Sequence, residues 1–230
     1  MRESIHVKNA LNVTLDPAHV AEILRVPEDV MDEFMDIFNE CAQVADPKYI
    51  FTQCEVRHDG DITHVGGSSF DSHIMAVNMK DVTVAWPYVC TCGRELYDLA
   101  QSKDDPLERY WVDQISEQYL HHAGALALAA IKEFSGKDTL YSMNPGSPKE
   151  FDISNQRPLF DIFGDVEALC GASLTPTFLI LPYKSGSGIY YESDESFISC
   201  AICHQENCPN RRAPFDEMLL AARYAVSGDK

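Results

Sequence analysis

Thr177-Phe178-Leu179-Ile180-Leu181-Pro182-Tyr183-Lys184-Ser185-Gly186-Ser187-Gly188-Ile189-Tyr190-Tyr191 is the stretch on which the fold turns. Two apolar, β-branched and aromatic runs flank a short glycine- and serine-rich segment, a pattern that predicts paired strands, 177–181 and 188–191, around a turn at 184–188. Ser196-Phe197-Ile198-Ser199 reads as a third strand beside them. A hairpin-type element of this kind calls for an antiparallel sheet, and the helices lie elsewhere in the chain.

Working upstream, the helical signals are strong but do not alternate regularly with strands. Asp16-Pro17 opens a short helix to about Arg25, and Pro27-Glu28-Asp29 opens another whose apolar positions Val30, Met31, Phe34, Ile37, Phe38 and Cys41 recur at helical spacing. Tyr49 to Val56 reads as a strand turned by Asp59-Gly60-Asp61. Ser68 or Ser69 then caps a helix through Met79, and Val82 to Val89 is an apolar run of buried-strand length. Pro106 starts the longest helix, to about Phe134, and a Pro/Gly/Ser-rich loop spans Ser142 to Lys149. A further helix runs from about Asn155 to Cys170, stopped by Gly171. The irregular mixture favours an α+β fold, a mixed or antiparallel sheet with a long central helix and flanking helices, over a doubly wound one. At 230 residues the chain is read as a single domain, with an N-terminal helical and strand part (1–105), a central segment (106–199) and a C-terminal part (200–230).

The formal net charge is −18 at pH 7, with acidic residues spread along the chain. Such a surface repels phosphate backbones and anionic lipid, which argues against nucleic-acid and membrane partners. Met1 to His6 carries no charged-then-apolar export pattern, and the apolar run Ala123 to Ile131 is too short to span a bilayer, so a cytoplasmic protein is expected. Its eight cysteines are then expected to be reduced thiols.

Directly downstream of the opening stretch lies Ser199-Cys200-Ala201-Ile202-Cys203-His204-Gln205-Glu206-Asn207-Cys208-Pro209-Asn210-Arg211-Arg212. Cys200, Cys203 and Cys208 supply three soft ligands, and thiolates select iron-sulfur clusters, zinc or copper(I). A [4Fe-4S] cluster normally takes four protein ligands. Cys92 is the preferred fourth, because Thr91-Cys92-Gly93 follows a central strand; Cys90 and Cys170 are the other candidates. The alternative is a Cys3His zinc site using His204, which is strained by its adjacency to Cys203. Arg211 and Arg212 tune such a centre, hold an acidic patch of a partner, or begin a surface helix.

Several other residues have plainer readings. His121 and His122 are adjacent on the long helix and face different ways, so they read as core or surface histidines. Cys41 and Cys54 read as buried small hydrophobes, and Asp104-Asp105 and Asp194-Glu195 as solvated turns. Lys184 reads as a solvated lysine or as a contact for a corrinoid side chain or an acidic partner. No Ser-His-Asp or Cys-His arrangement, phosphate-binding glycine loop or catalytic carboxylate pair is evident.

Residues 144–199 resemble the activation (reactivation) domain of cobalamin-dependent methionine synthase. The resemblance is carried by Pro145-Gly146-Ser147-Pro148, the Gln156 to Glu167 helix with Leu159-Phe160, Leu174-Thr175-Pro176-Thr177-Phe178, Pro182, and Ser185-Gly186-Ser187-Gly188-Ile189-Tyr190, with Gln118-Tyr119-Leu120-His121 upstream. Thr91-Cys92-Gly93-Arg94-Glu95-Leu96 and the cysteine trio with Arg211-Arg212-Ala213-Pro214 resemble instead the stand-alone small members found beside corrinoid methyl-transfer systems. In the synthase the domain binds S-adenosylmethionine and faces the corrinoid, so that cob(II)alamin is reduced and remethylated. The resemblance therefore implies a ligand-binding set of Asn144, Pro145, Gly146, Ser147, Lys184, Ser185, Gly186, Ser187, Gly188 and Phe197. Two positions depart from the pattern: the family's ligand-binding arginine falls on Ser142, and its tyrosine falls on Phe197. The family's acidic substrate-contacting motif has no clear counterpart.

Together these readings lead to an accessory protein of corrinoid-dependent methyl transfer that docks on a cobalamin protein or methyltransferase and supports its reductive reactivation or remethylation. The competing reading is a binding module without catalytic activity, stabilised by zinc or containing a cluster. A complete methyltransferase working with a separate substrate protein is a third.

Overall fold

The computed structural model describes residues 4–8, 12–147, 150–205, 207–208 and 211–224. Pro148 of the glycine-containing loop, and Glu206, Pro209 and Asn210 of the cysteine segment, lie outside the described residues. In chain order the elements are β1 (His6–Lys8), α1 (Pro17–Leu24), α2 (Met31–Val44), β2 (Lys48–Phe51), β3 (Cys54–Asp59), β4 (Ile62–Val65), β5 (Ser68–Asp71), α3 (His73–Met79) and β6 (Val84–Thr91). There follow α4 (Arg94–Ser102), α5 (Pro106–Ser135), β7 (Tyr141–Met143), α6 (Gln156–Phe163), α7 (Val166–Cys170), β8 (Ser173–Leu174), β9 (Ile180–Leu181), β10 (Ser185–Tyr191) and α8 (Glu217–Tyr224), with short 3-10 turns at Glu28–Val30, Ile153–Asn155 and Ser199–Ile202.

β6 is the axis of an eight-stranded sheet. On one edge it pairs along its length with β10, Ser185 opposite Thr91 and Tyr191 opposite Ala85, and β10 in turn pairs with β7. On the other edge β2 pairs with residues 88–91 and β3 with residues 84–85. The break between β2 and β3, at Thr52-Gln53, falls opposite Trp86 and Pro87, where proline has no N–H to give to a ladder. Thr52 N–H donates to the Pro87 carbonyl at 3.2 Å across that gap. All pairings among the described residues are antiparallel.

Side chains alternate across β6. Ala85 and Val89 enter a core with Ile50, Phe70, Met75, Leu159, Ile162 and Ile189, which α3 and α6 cover. Trp86, Tyr88 and Cys90 face α5, where Ala123, Ala127 and Ile131 meet them at i, i+4 spacing. The N-terminal half of α5 carries Trp111, Val112, Ile115 and Tyr119 into a third core with Phe34, Phe38, Cys41 and Leu96 of the surrounding helices. α5 starts at Pro106 after an Asp105 N-cap that accepts from Leu107 and Glu108 N–H, and it stops at Gly136 in the left-handed region.

The α+β class and the antiparallel sheet with its long helix match the sequence expectation, whereas several elements differ. The segment 185–188 is not a turn: it is the first part of β10, entered from a bend that includes Lys184, and the strand β9 pairs with β8 instead. Thr175 to Leu179 forms a tight turn with Phe178 at φ +64°, so only Ile180–Leu181 of the expected 177–181 strand is extended. Ser196 to Ser199 forms no strand; it leads into the 3-10 turn that carries Cys200. Ser68–Asp71 is a strand, and the cap of α3 is Ser72, whose Oγ accepts from Met75 N–H. The expected 155–170 helix is split at Gly164, φ +84°. For the strands, long-range pairing overrode a local pattern that suited two outcomes, whereas Gly164 and the Asp165 N-cap, whose side chain accepts from Ala168 N–H, break the helix locally.

Candidate functional site

Gly188 shows why the Ser185 to Gly188 segment is rich in small residues. Its φ is not left-handed; what it provides is closeness. A Cβ there would lie 2.8 Å from the Met143 carbonyl and 3.0 Å from Tyr88 Cε1, and would also collide with the Asn144 amide. Glycine therefore lets β10 press against the start of the 144–147 loop.

Asn144 is held by three bonds. Its Nδ2 donates to the Ser187 carbonyl at 2.8 Å and to Tyr88 Oη at 2.9 Å, and its Oδ1 accepts from Ser142 Oγ at 3.1 Å. Ser187 Oγ donates to Gln156 Oε1 at 2.6 Å, tying the strand to α6. Gly146 lies at φ +80°, with its N–H donating to the Phe151 carbonyl at 2.7 Å, and Ser147 N–H closes the turn onto the Asn144 carbonyl at 3.0 Å. The loop that the resemblance assigns to ligand binding is thus rigidly placed from both sides.

The loop opens onto a cavity of about 580 Å³. Asn144 and Ser147 line it together with Ser199, Cys200, Cys203, Cys208, His121, Arg211 and Arg212. Ser147 Oγ and Ser199 Oγ, 3.4 Å apart, join the two segments. Arg211 is the hub of the cysteine segment: Nη1 donates to the carbonyls of Cys200 and Ala213, each at 2.9 Å, and Nη2 to those of Cys203 and Gln205 at 2.8 and 2.6 Å. One planar guanidinium thereby fixes the backbone on both sides of two cysteines. Arg212 N–H donates to Cys200 Sγ at 3.4 Å. Burial raises the Cys200 pKa, but the Arg212 N–H and guanidinium outweigh it and hold this thiol below its ordinary value.

Other expected site residues lie elsewhere. Phe197 is buried and lines a neighbouring cavity of about 240 Å³ with Tyr190 and Ile198; Ser199 and Arg212 border both cavities. Lys184 reaches Glu117 Oε2 at 2.8 Å and Asp113 Oδ2 at 2.9 Å on α5, so it is a structural ion-pair partner in the described chain. Burial lowers its pKa, and these two carboxylates more than restore it. Ser185 Oγ donates to Thr91 Oγ1 at 2.9 Å. Gly186 lies over Cys90, where a Cβ would sit 3.5 Å from Sγ. Cys92 is not among the residues lining the cysteine cavity: it belongs to the helical core, 1% exposed, and its Sγ–H donates to the Gly93 carbonyl at 3.4 Å. Burial pushes the Cys92 and Cys90 thiols up to about 12 and Cys170 to about 11.

The three cysteines share a cavity, but they do not form a closed site. Among the described residues no group of three or more His, Cys, Asp or Glu side chains is arranged to hold a metal ion. The sequence reading set His121 aside, whereas the structure places it on the wall of this cavity. Its position in Gln118-Tyr119-Leu120-His121, one of the matched segments, was the available signal.

Sheet, long helix and loop-lined cavity together define an activation-domain type of α+β fold. Among solved structures, the chain is similar to one described as the MetH reactivation domain bound to AdoHcy, with a TM-score of 0.56 and 13% sequence identity over 85% of this chain and 80% of that one. At that identity the likeness establishes the fold. No protein-family model matches the sequence, and no curated protein matches it at a significant level. Among the described residues no helix is long and apolar enough to cross a membrane.

Proposed function

We propose that this protein is an accessory of corrinoid-dependent methyl transfer, docking on a cobalamin protein or methyltransferase and supporting reductive reactivation or remethylation of its corrinoid. The observation that carries the reading is that the 144–147 loop and the cysteine segment meet on one cavity, within the fold of a reactivation domain whose solved relative holds AdoHcy. Residues 1–105, 106–199 and 200–230 act as one unit in this reading, since β6 of the first pairs with β10 of the second and Ile50, Ile189 and Ile202, one from each, share a core.

The chain's own residues have distinct tasks. Asn144, Gly146 and Ser147 present a preorganised polar edge to an S-adenosylmethionine-related ligand, and Gly188 permits that edge to form. Ser142 and Phe197, standing where the family has arginine and tyrosine, leave fewer polar anchors for such a ligand. Arg211 holds the cysteine backbone in place, and Arg212 offers positive charge and an N–H to Cys200. In the soft-metal reading the thiols would hold an iron-sulfur cluster, or zinc as the alternative, with the donor chemistry of the trio as its support. A cluster bound there would supply the single electron that cob(II)alamin reduction requires.

Calorimetry of the anaerobically purified chain against a cobalamin-loaded corrinoid protein, with and without S-adenosylmethionine, tests the functional reading. Saturable binding to the cobalamin-loaded protein is the expected result. No binding to that protein, to free cobalamin or to S-adenosylmethionine would sink it. Metal analysis separates the two metal readings: iron with acid-labile sulfide supports a redox accessory, and colourless protein with stoichiometric zinc supports a zinc-stabilised binding module.

A further inference from the structure

Three thiols on one cavity wall lack a fourth donor, and Cys92, preferred on sequence grounds, lies in a different core. We propose that His121 completes a Cys3His donor set with Cys200, Cys203 and Cys208, closing around a thiophilic metal centre. This rests on the metal element of the preceding reading and names its missing ligand.

Four observations carry it. Apart from the thiols, the cavity is lined by amide, hydroxyl, guanidinium and one imidazole, and of these only the imidazole of His121 is a customary ligand for zinc or for an iron-sulfur centre. His121 also has a carboxylate beside it that could serve as an outer partner: its Nε2 lies 3.7 Å from Glu117 Oε1, an i,i+4 contact longer than a hydrogen bond, and Glu117 Oε2 is anchored by Lys184 at 2.8 Å; with Nε2 turned to Glu117, Nδ1 would be the ligating atom. The other histidines nearby are engaged elsewhere, His122 Nδ1 with the Gln118 carbonyl at 2.9 Å and the His204 ring against Phe215 at 4.6 Å. Finally, the Arg212 N–H on Cys200 Sγ is the kind of donor that stabilises metal-bound thiolates, and Arg211 fixes the backbone at Cys200 and Cys203, so the four donors, which line one cavity without converging in the described structure, would close on a metal from a held backbone.

The full chain is loaded anaerobically in two arms, Zn2+ alone and ferrous iron with sulfide, and Co2+ serves as a spectroscopic stand-in for zinc. Wild type is expected to take up one centre in at least one arm. His121→Ala, on an exposed helix face, should keep the wild-type circular dichroism yet bind more weakly by over ~100-fold, since even an outer-shell partner costs about 10–100-fold. Glu117→Gln should fall within that 10–100-fold range. His121→Cys should recover binding with an altered cobalt absorption spectrum, and Cys92→Ser and His204→Ala should bind as wild type. Wild-type affinity and cobalt spectrum in His121→Ala, or loss of binding in Cys92→Ser, would overturn the assignment while leaving a metal site standing. Uptake in neither arm would overturn the assignment and the metal element together, leaving corrinoid-protein binding to be judged by its own calorimetry.

Discussion

At the scale of single residues, Gly188 and Arg211 do the most to shape the cavity. Gly188→Ala places a methyl group against the Met143 carbonyl and the Asn144 amide, and backbone is among the atoms it meets. Overpacking of this kind costs about 1–3 kcal/mol, so thermal unfolding followed by circular dichroism should show a lowered Tm. Arg211→Ala removes four hydrogen bonds to carbonyls of the cysteine segment. Local opening is the expected result, read as at least a ~10-fold faster amide exchange across 199–205 with the sheet amides unchanged. Arg211→Lys should not rescue it, because an ammonium cannot match a planar fork. The special status of Ser185 to Gly188 was legible in the sequence, but its role was not. Glycine serves left-handed turns and close approaches equally well, and only the strand across from it distinguishes the two.

At the scale of elements, helices with capping signals were legible and strands next to small residues were not. α5 begins and ends at Asp105-Pro106 and Gly136, as its caps and apolar spacing indicate, because those signals are local. Phe34 on α2, fully buried and edge-on to Trp111 of α5 at 5.7 Å, shows how the helical layer is held. Phe34→Ala should cost about 3–5 kcal/mol, measured as a lower urea midpoint with little change in m. The expected hairpin at 177–191 and the expected helix at 155–170 failed for different reasons, one long-range and one local. β10 gains its partners from β6 and β7, far away in sequence, and Gly164 splits a helix whose apolar positions alone suggest continuity.

For the whole molecule, the eight cysteines divide by environment. Cys41, Cys54, Cys90, Cys92 and Cys170 are buried, and Cys200, Cys203 and Cys208 are partly exposed. In metal-free native protein three thiols should react with a disulfide reagent and eight after unfolding, counted by mass spectrometry. Burial holds Cys41, Cys90 and Cys92 at about 12 against the ordinary 9.0, so the native state keeps protons that the unfolded chain releases. That stabilisation is complete below about pH 9 and is lost as the pH rises toward 12, so the urea midpoint should fall across that window. The sequence by itself determined the α+β class, the long helix, the closely spaced cysteine trio and the loop that resembles a ligand site, because composition, caps and spacing are properties of neighbouring residues. Only the tertiary structure decided that Ser185 to Gly188 is a strand, that Cys92 lies in a separate core, and that His121, seventy-nine positions before Cys200, shares a cavity with the trio. Such meetings are set by which faces of the sheet and of α5 bury together, and no local pattern encodes them.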